Sequence, residues 1–444
     1  MKNKIYCAIF FVTIFLIQPL RAQHIDTAKL DSLFDKLNEK NKAMGSIAIS
    51  KNGKILYERS IGYAVISEKE KIKASYDTKY RIASITKMFT ATMIFQLVEE
   101  KKLTLATTIE HYFPELPNAR LITISNLLNH RSGLANYTSI PGYETWAQSS
   151  RTENEMLSLI EKNKVDFQPN EKTVYSNSNY LILGYIIERI TKKSYDKNLK
   201  DRIVSKIQLT ETYVGGLTDV KKKECFSYQY FNGWVQEAET DMKLSGGAGC
   251  IVSTPRDLAH FIEALFSFKL ISQTSLEQMK TIRDGYGMGM MPIPFYDKKG
   301  LGHGGSRYGF RSMLTYFAED SLAIAYCTNG EVYLMNNILI GALCIYFDKP
   351  YAIPTFNVFY IKPEVLDTYT GVYTNEEIPL NITITRDSTS LIAQATGQPA
   401  FLLEAVEINK FKSDPTKAKI EFRSEEKELI LKQGGGIYIF TKKN

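Results

Sequence analysis

The stretch RIASITKMFTATMIFQLVEEK, residues 81–101, decides the fold of this chain. Beyond Ser84 its apolar residues point in nearly every direction around a helix, and a helix of this kind belongs in a protein core. Lys87 lies one turn after Ser84, so the two side chains share a face of that helix. Burial lowers the pKa of a lysine, and a neutral amine can accept the proton of a neighbouring hydroxyl. Ser84 is therefore a candidate nucleophile, with Lys87 as its proton acceptor.

The same four residues have a second interpretation, in which the serine caps the helix and the lysine extends to solvent. The spacing Ser-x-x-Lys recurs at residues 194–197 and 424–427, where charged and polar neighbours are typical of a solvated surface. The motif at Ser84 differs because it runs into a long apolar helix. Other parts of the chain must decide between the two interpretations.

A second polar cluster precedes a second apolar helix, predicted at residues 181–190. Tyr175 is a candidate proton carrier there, because a phenol beside an ammonium has its phenolate form favoured. Asn177 is a candidate donor of an amide hydrogen bond to a carbonyl substrate. Alternatively, the pair is an aromatic anchor beside a helix-capping amide.

Two glycine-rich segments follow, at residues 246–249 and 302–305. The second precedes two predicted adjacent strands, and its small residues Gly304 and Gly305 let a ligand approach strand backbone closely. The backbone N–H of Ser306 could then stabilise an oxyanion together with that of Ser84. His303 by itself predicts a hydrogen-bonded structural histidine or a metal ligand. The spacing of these glycines fits no dinucleotide-binding fingerprint.

The N-terminus has the pattern of a cleavable secretory signal, with a charged start, a short apolar run and a small residue before the break. We predict cleavage after Ala22, which makes the mature chain an exported, periplasmic protein. Removing Lys2, Lys4 and Arg21 lowers the formal net charge from +7 to +4. This mild charge gives no support for nucleic-acid binding. No later segment is long and apolar enough to predict a membrane span.

Four cysteines remain in the mature chain, and no C-x-x-C spacing indicates zinc. We expect mostly buried free thiols, since a domain of this size has little need of disulfides. The sequence predicts no metal and no organic cofactor. The four positions are Cys225, Cys250, Cys327 and Cys344.

The domain prediction divides the chain into four parts: a signal peptide at 1–22, a catalytic domain at 23–347, a linker at 348–361 and a C-terminal domain at 362–444. Beyond residue 366 the pattern changes to short alternating strands, which predicts a small antiparallel β module.

Five motifs together resemble the serine β-lactamase-like superfamily, in particular its branch of class C β-lactamases, D-Ala-D-Ala carboxypeptidases and esterases. The resemblance runs from about Leu30 to Cys344. Its motifs, in the order in which this family has them, are residues 80–87 (YRIASITK), 127–134 (LLNHRSGL), 175–177 (YSN), 246–258 (GGAGCIVSTPRDL) and 303–305 (HGG). The resemblance implies an α+β fold, an antiparallel sheet flanked by helices with an all-α subdomain. The C-terminal module resembles the lipocalin-like β domain, barrel-like in form, that is often fused to these proteins.

The resemblance also assigns roles to residues. Ser84 would be acylated, Lys87 and Tyr175 would exchange protons, and Asn177 would hold the substrate amide. Backbone N–H groups of Ser84 and Ser306 would form the oxyanion hole. His303 and Gly305 would lie on the substrate-binding strand.

Three departures from the family pattern modify the functional expectation. The chain lacks both Ser-Asp-Asn and Lys-Thr-Gly, and Pro169-Asn170 stands where Pro-Gly is usual. His303 replaces a lysine that helps to bind the carboxylate of β-lactams, so efficient β-lactam hydrolysis is not expected. Arg307 and Arg311 are candidate readers of a substrate carboxylate, and a plain surface role is the alternative.

The sequence thus predicts an exported serine hydrolase that forms an acyl-enzyme on a peptide, amide or ester. A peptidoglycan stem peptide or another small molecule would be its substrate. The alternative is a penicillin-binding or cell-wall-sensing module with little or no turnover. Nothing in the sequence indicates an oligomeric state.

Overall fold

The structure is a computed structural model that describes residues 25–443 except 148, 150, 232, 357–358, 377, 388–389, 399 and 414–415. For residue 144 only the backbone is described. The predicted signal peptide at 1–22 lies outside the described residues, so its assignment stays a prediction.

Within the described residues the helices are α1 (Thr27–Glu39), α2 (Thr86–Glu99), α3 (Ile124–Leu128), α4 (Tyr143–Trp146), α5 (Glu153–Glu161), α6 (Asn177–Thr191), α7 (Tyr195–Leu199), α8 (Pro255–Phe266), α9 (Gln273–Lys280), α10 (Met335–Tyr346) and α11 (Pro363–Tyr369). The first strands are β1 (Ala43–Lys51), β2 (Lys54–Ile61), β3 (Tyr63–Ile66), β4 (Lys71–Lys73), β5 (Tyr80–Arg81), β6 (Tyr213–Val214), β7 (Tyr228–Tyr230), β8 (Trp234–Gln236) and β9 (Ile251–Ser253). They are followed by β10 (Met291–Phe295), β11 (Lys298–Arg307), β12 (Phe310–Phe317) and β13 (Leu322–Glu331). The C-terminal strands are β14 (Gly371–Thr374), β15 (Asn381–Asp387), β16 (Ser390–Ala395), β17 (Phe401–Glu407), β18 (Lys410–Ser413), β19 (Ala418–Arg423), β20 (Glu428–Gln433) and β21 (Gly436–Lys442).

The central sheet of the catalytic part is antiparallel, with its strands in the order β10-β11-β12-β13-β1-β2. Helices α1 and α10 cover one face of this sheet, and α8 packs against the other. Helix α2 lies beyond α8 in the larger core cluster, where Phe89 stacks on Phe261 with ring centroids 3.7 Å apart. The prediction that residues 81–101 contain a core helix is confirmed, because α2 is buried on nearly every side.

Two sequence predictions about elements are wrong in extent. The sequence of residues 54–64 predicts one continuous strand, but the strand breaks at Gly62, whose φ of +74° turns the chain into a separate small sheet. The sequence of residues 124–134 predicts a helix that stops at Gly133, but the helix ends at Leu128, because the chain adopts a left-handed conformation at His130 with φ +59°. That early exit carries the His130 side chain into the site described below.

The C-terminal strands β14 to β21 close into an up-and-down antiparallel barrel, with β14 paired to both β15 and β21. The prediction of an antiparallel β module is thus confirmed, although β17 and β18 were not predicted. The barrel docks on the catalytic part, where buried Lys42 forms an ion pair with Glu404 of β17. The domain boundaries at 347/348 and 361/362 stay predictions.

All four described cysteines are free and buried, as predicted. In the described ranges, no helix combines the length and the apolar character needed to cross a membrane.

Candidate active site

Ser84 lies on a tight turn between the short strand β5 and helix α2. The residue before it, Ala83, has a φ of +45°, which is unusual for a residue with a Cβ atom. Ile82 fixes the turn from two sides, since its N–H donates to Ile251 O at 3.1 Å and its carbonyl accepts from Ser312 Oγ at 2.9 Å. The nucleophile candidate is therefore held between β9 and the central sheet.

Lys87 is fully buried one turn into α2. Its Nζ lies 3.0 Å from Ser84 Oγ, 2.8 Å from Asn177 Oδ1 and 2.8 Å from Ala248 O. Burial holds the pKa of Lys87 well below the ordinary lysine value. A neutral amine has two N–H donors and one lone pair. When the amine is neutral, the amide and carbonyl oxygens take its two N–H groups, and its lone pair is left for the Ser84 hydroxyl.

Tyr175 is half-buried and lies beside both catalytic candidates. Its ring is 5.0 Å from Lys87 Nζ. The sequence argument expected the phenolate to be favoured, but burial raises the pKa of Tyr175, and the Ser84 hydroxyl lowers it by less. The expectation is wrong because the phenol is itself desolvated, a cost that the sequence pattern does not show. Tyr175 is therefore poised as a neutral phenol, a proton donor.

His130 was not identified from the sequence as a site residue, although it lies within one of the motifs. Its ring packs 4.4 Å from the ring of Tyr175, centroid to centroid, and is almost fully buried. Its Nδ1 accepts from the Ser176 N–H at 3.2 Å, which places the ring proton on Nε2. Burial lowers the pKa of His130 well below the usual value, so the ring is neutral. His130 thus positions Tyr175.

Asn177 begins α6, with Ser176 as the capping position. Its Oδ1 accepts from Lys87, and its Nδ2 donates to Thr138 Oγ1 at 3.1 Å. The amide nitrogen has two N–H groups, and Thr138 takes one of them, so the contact with a substrate carbonyl stays a prediction. Asn177 holds the Lys87 amine, and it borders the cavity through which a substrate would come.

The strand β11 brings His303, Gly305 and Ser306 to the other side of the Ser84 turn. His303 is buried, and its Nδ1 donates to Gly304 O at 2.5 Å. Burial, with a smaller contribution from Lys87, lowers the pKa of His303 to about 3, so the ring carries no charge at neutral pH. Gly305 faces the backbone of Ile82, whereas Ser306 is exposed and lines the cavity.

A cavity of about 330 Å³ opens directly onto Ser84. Its walls include Ser306, Asn177 and a group of residues that the sequence analysis did not predict: Tyr137, Thr138, Tyr143, Ser245 and Tyr308. These residues come from loops and short turns without periodicity, so no sequence pattern marked them. Of these residues, only Ser245 directly precedes a segment that the sequence analysis singled out, the glycine-rich residues 246–249.

The two arginines considered from the sequence have different locations. Arg307 lines the cavity and lies between two tyrosine rings, 5.2 Å from Tyr143 and 4.5 Å from Tyr308. It donates to the hydroxyl groups of both tyrosines. Arg311 lies outside this cavity and donates to the backbone carbonyls of Tyr308 and Phe310. Of the two, only Arg307 is placed to meet a ligand near Ser84.

The other departures from the motif pattern have simple structural explanations. Asn170 stands where the family has glycine, and its φ of +71° is one that asparagine tolerates better than most residues. The glycines at 246–249 predict close backbone packing, and this is confirmed, because a Cβ at Gly247 would lie 2.5 Å from Tyr180 O. Among the described residues no group of three or more His, Cys, Asp or Glu side chains could hold a metal ion.

Comparison with known proteins agrees with this geometry. The family model described as Beta-lactamase matches residues 30–338. The chain belongs to the beta-lactamase family. It is a serine hydrolase with the fold that the motifs predicted, followed by a β-barrel.

Individual relatives have low sequence identity to this chain but match most of its length. Penicillin-binding protein 4* of Bacillus subtilis (strain 168) is 28% identical over 354 residues, 73% of this chain and 77% of that protein. The structure of D-amino acid amidase from Ochrobactrum anthropi SV3, complexed with D-phenylalanine, superposes with a TM-score of 0.66 at 26% identity, covering 72% of this chain and 99% of the amidase. The octameric penicillin-binding protein homologue from Pyrococcus abyssi has a TM-score of 0.65 at 23% identity and covers 94% of this chain and 100% of its own. The last likeness concerns the fold alone.

Proposed function

We propose that this chain is an exported serine hydrolase that forms an acyl-enzyme on Ser84 and acts on a peptide, amide or ester with an anionic group near the scissile bond. The observation that carries the proposal is the position of the buried Lys87 amine, 3.0 Å from Ser84 Oγ. Its N–H groups have two acceptors that carry no hydrogen, Asn177 Oδ1 and Ala248 O. Such an amine can take the serine proton without first losing one of its own.

In the proposed reaction, the Ser84 proton moves to Lys87 Nζ as Oγ attacks the substrate carbonyl carbon. The resulting oxyanion would receive hydrogen bonds from the backbone N–H groups of Ser84 and Ser306, which border the same cavity. As the bond to the leaving group breaks, the neutral phenol of Tyr175 donates a proton to it and is reprotonated from Lys87. Water then attacks the ester on Ser84, giving the acid and restoring the hydroxyl.

The cavity supports an anionic substrate. Its described lining residues include Arg307 and no aspartate or glutamate. The neutral His303 cannot supply the charge that the family's lysine supplies, whereas the guanidinium of Arg307 is held beside the cavity by aromatic rings and hydroxyl groups. An arginine fixed in this way suits a carboxylate. The same wall disfavours a free ammonium group, the group that a D-amino acid amide presents.

Turnover of a matched pair of thioesters tests the proposal: hippuryl thioglycolate, which carries a carboxylate, and its methyl ester, which does not. A charged hydrogen bond contributes about 1.5–3 kcal/mol, so we expect a preference of roughly 10- to 100-fold for the carboxylate. Arg307→Gln should remove the preference, and Arg120→Gln, at an exposed arginine outside the cavity, should keep it. Ser84→Ala should abolish turnover of both.

A folded native protein that turns over neither thioester would contradict the hydrolase proposal and favour a penicillin-binding or cell-wall-sensing module. Equal turnover of the two thioesters would be compatible with Ser84 as the nucleophile, but it would contradict the proposed role of Arg307 in binding a carboxylate. Export is tested separately by the N-terminus of the mature chain, which we expect at residue 23.

A further inference from the structure

A second pocket, of about 520 Å³, lies where the barrel meets the catalytic part. Its walls come from the β7–β8 hairpin, the turn between β11 and β12, the end of β13 and the barrel strands β16 and β17. Pockets that bind small molecules have volumes of roughly 300–1,000 Å³ and often lie between domains. The size and place of this pocket therefore fit a small organic ligand.

The pocket combines aromatic walls with negative charge. Its aromatic lining residues are Tyr228, Tyr230, Phe231, Tyr308 and Phe401. Its charged lining residues, in the described part of the chain, are the carboxylates Glu237, Glu331, Asp387 and Glu404 and the guanidinium Arg311. Faces of aromatic rings attract cations, and an excess of carboxylates has the same preference. Both properties disfavour an anion and favour a protonated amine on an apolar group.

The same interface already binds one ammonium group in this manner. Lys42 Nζ forms an ion pair with Glu404, which is also a lining residue of the pocket. The same Nζ lies 5.6 Å from the centre of the Phe356 ring. Lys42 is buried, so this combination of a carboxylate and a ring stabilises an ammonium group away from bulk water. The chain's own lysine thus shows the chemistry that the pocket offers.

The pocket adjoins the candidate active site through one residue. Tyr308 lines both the pocket and the cavity at Ser84. Its backbone is held in a left-handed conformation with φ +49°, and Arg311 donates to its carbonyl oxygen. The next residue, Gly309, has no room for a side chain, because a Cβ there would lie 2.6 Å from Tyr228 O. This turn is therefore a thin, fixed wall between the two sites.

From these observations we propose that the interdomain pocket binds an apolar organic amine, an aromatic or branched group that carries a protonated nitrogen. The amine has two possible sources. In the first, which rests on the proposed function, the amine is the distal end of a substrate whose scissile bond lies at Ser84. In the second, the amine is a separate small molecule.

Calorimetric titration of the full chain with phenethylamine tests the pocket itself. Phenethyl alcohol and 3-phenylpropionate are matched neutral and anionic probes. Glu331→Gln keeps an acceptor for the Met335 N–H, which bonds to Glu331 Oε2 at 2.7 Å, and so removes charge without removing that contact. Asp387→Asn removes a charge on the barrel side of the pocket, and Glu425→Gln, on an exposed barrel turn outside the pocket, is the control.

We expect phenethylamine to bind at least tenfold more tightly than phenethyl alcohol, and 3-phenylpropionate to bind most weakly. Each pocket variant should weaken binding of the amine by about three- to tenfold, which corresponds to one partly exposed charge pair. The control should bind as the native chain does. Equal affinity for the amine and the alcohol, or unchanged affinity in both pocket variants, would overturn the proposal.

Turnover of hippuryl thioglycolate and of its 4-aminomethyl derivative distinguishes the two sources. If the amine belongs to the substrate, the derivative should have the higher kcat/KM, and Glu331→Gln should remove that advantage without changing the rate on the parent compound. If the amine is a separate ligand, phenethylamine should bind in the calorimetric titration, and the derivative should have the same kcat/KM as the parent thioester. If the proposed function is wrong, neither thioester should be turned over. The calorimetric titration would still show whether the pocket binds the amine.

Discussion

Gly305→Ala is predicted to damage the active site far more than the same change at its neighbour Gly304. A Cβ at Gly305 would overlap the Ile82 carbonyl oxygen and lie 3.2 Å from the Ile82 carbonyl carbon. A Cβ at Gly304 would meet its first neighbour, the flexible end of Met313, at 3.4 Å. Both glycines lie in the same strand, and neither has a backbone conformation that alanine avoids. The two variants thus differ only in what the new methyl group contacts.

Relief of the overlap requires β11 and the Ser84 turn to separate by about 1 Å, since non-bonded atoms pack at roughly 3.5–4.0 Å. Overpacking of this kind costs about 1–3 kcal/mol of stability. A displacement of about 1 Å at a catalytic group can lower the rate roughly 100-fold. Thioester turnover and urea unfolding measure the two effects. Equal activity and stability in Gly305→Ala and Gly304→Ala would refute the reasoning.

Three further predictions concern the groups around Ser84. Lys87→Met should raise the free energy of unfolding, most strongly at low pH. Because the pKa of Lys87 in the folded chain lies below 10.5, the unfolded chain binds more protons, so the chain with Lys87 gains stability as the pH rises toward 10.5 and the advantage of Lys87→Met shrinks. A stability difference between the two that does not change with pH would contradict this. Tyr175→Phe should lower kcat by about 10²–10⁴-fold with an unchanged melting temperature, whereas full activity would leave Tyr175 only its role as an aromatic anchor. Asn170→Gly and Asn170→Ala both lose the hydrogen bond from Arg131 Nε, and Asn170→Ala should be the less stable of the two by about 1 kcal/mol, because φ there is +71°; equal melting temperatures for the two would contradict the conformational argument.

The parts of the structure that the sequence predicted well are those in which local pattern and burial agree. Helix α2 was predicted because a run that is apolar on all sides has few places other than a core. The sequence Asn52-Gly53 between two apolar segments predicts a hairpin, and the structure has it between β1 and β2, with left-handed φ of +53° and +77° at these two residues. The motif at Ser84 then pointed to a serine nucleophile, and the family comparison supports that class of chemistry.

The parts that were missed depend on contacts between distant segments. His130 packs on Tyr175 because the chain leaves α3 early, and a short helix gives no warning of where it ends. The charge state of Tyr175 was expected wrongly because pattern reasoning included the lysine charge but not the burial of both groups. In the barrel, β17 was missed because its alternation is interrupted by a bulge between Ala405 and Glu407.

The central claim, that Ser84 is acylated with the help of a buried neutral lysine, is tested most directly by intact mass. The native chain and Ser84→Ala are incubated separately with a fluorophosphonate and with a penicillin, and each is checked for folding by circular dichroism. We predict one adduct per native chain with the fluorophosphonate and none on Ser84→Ala. No adduct on folded native protein from either reagent, or an equal adduct on Ser84→Ala, would contradict the claim.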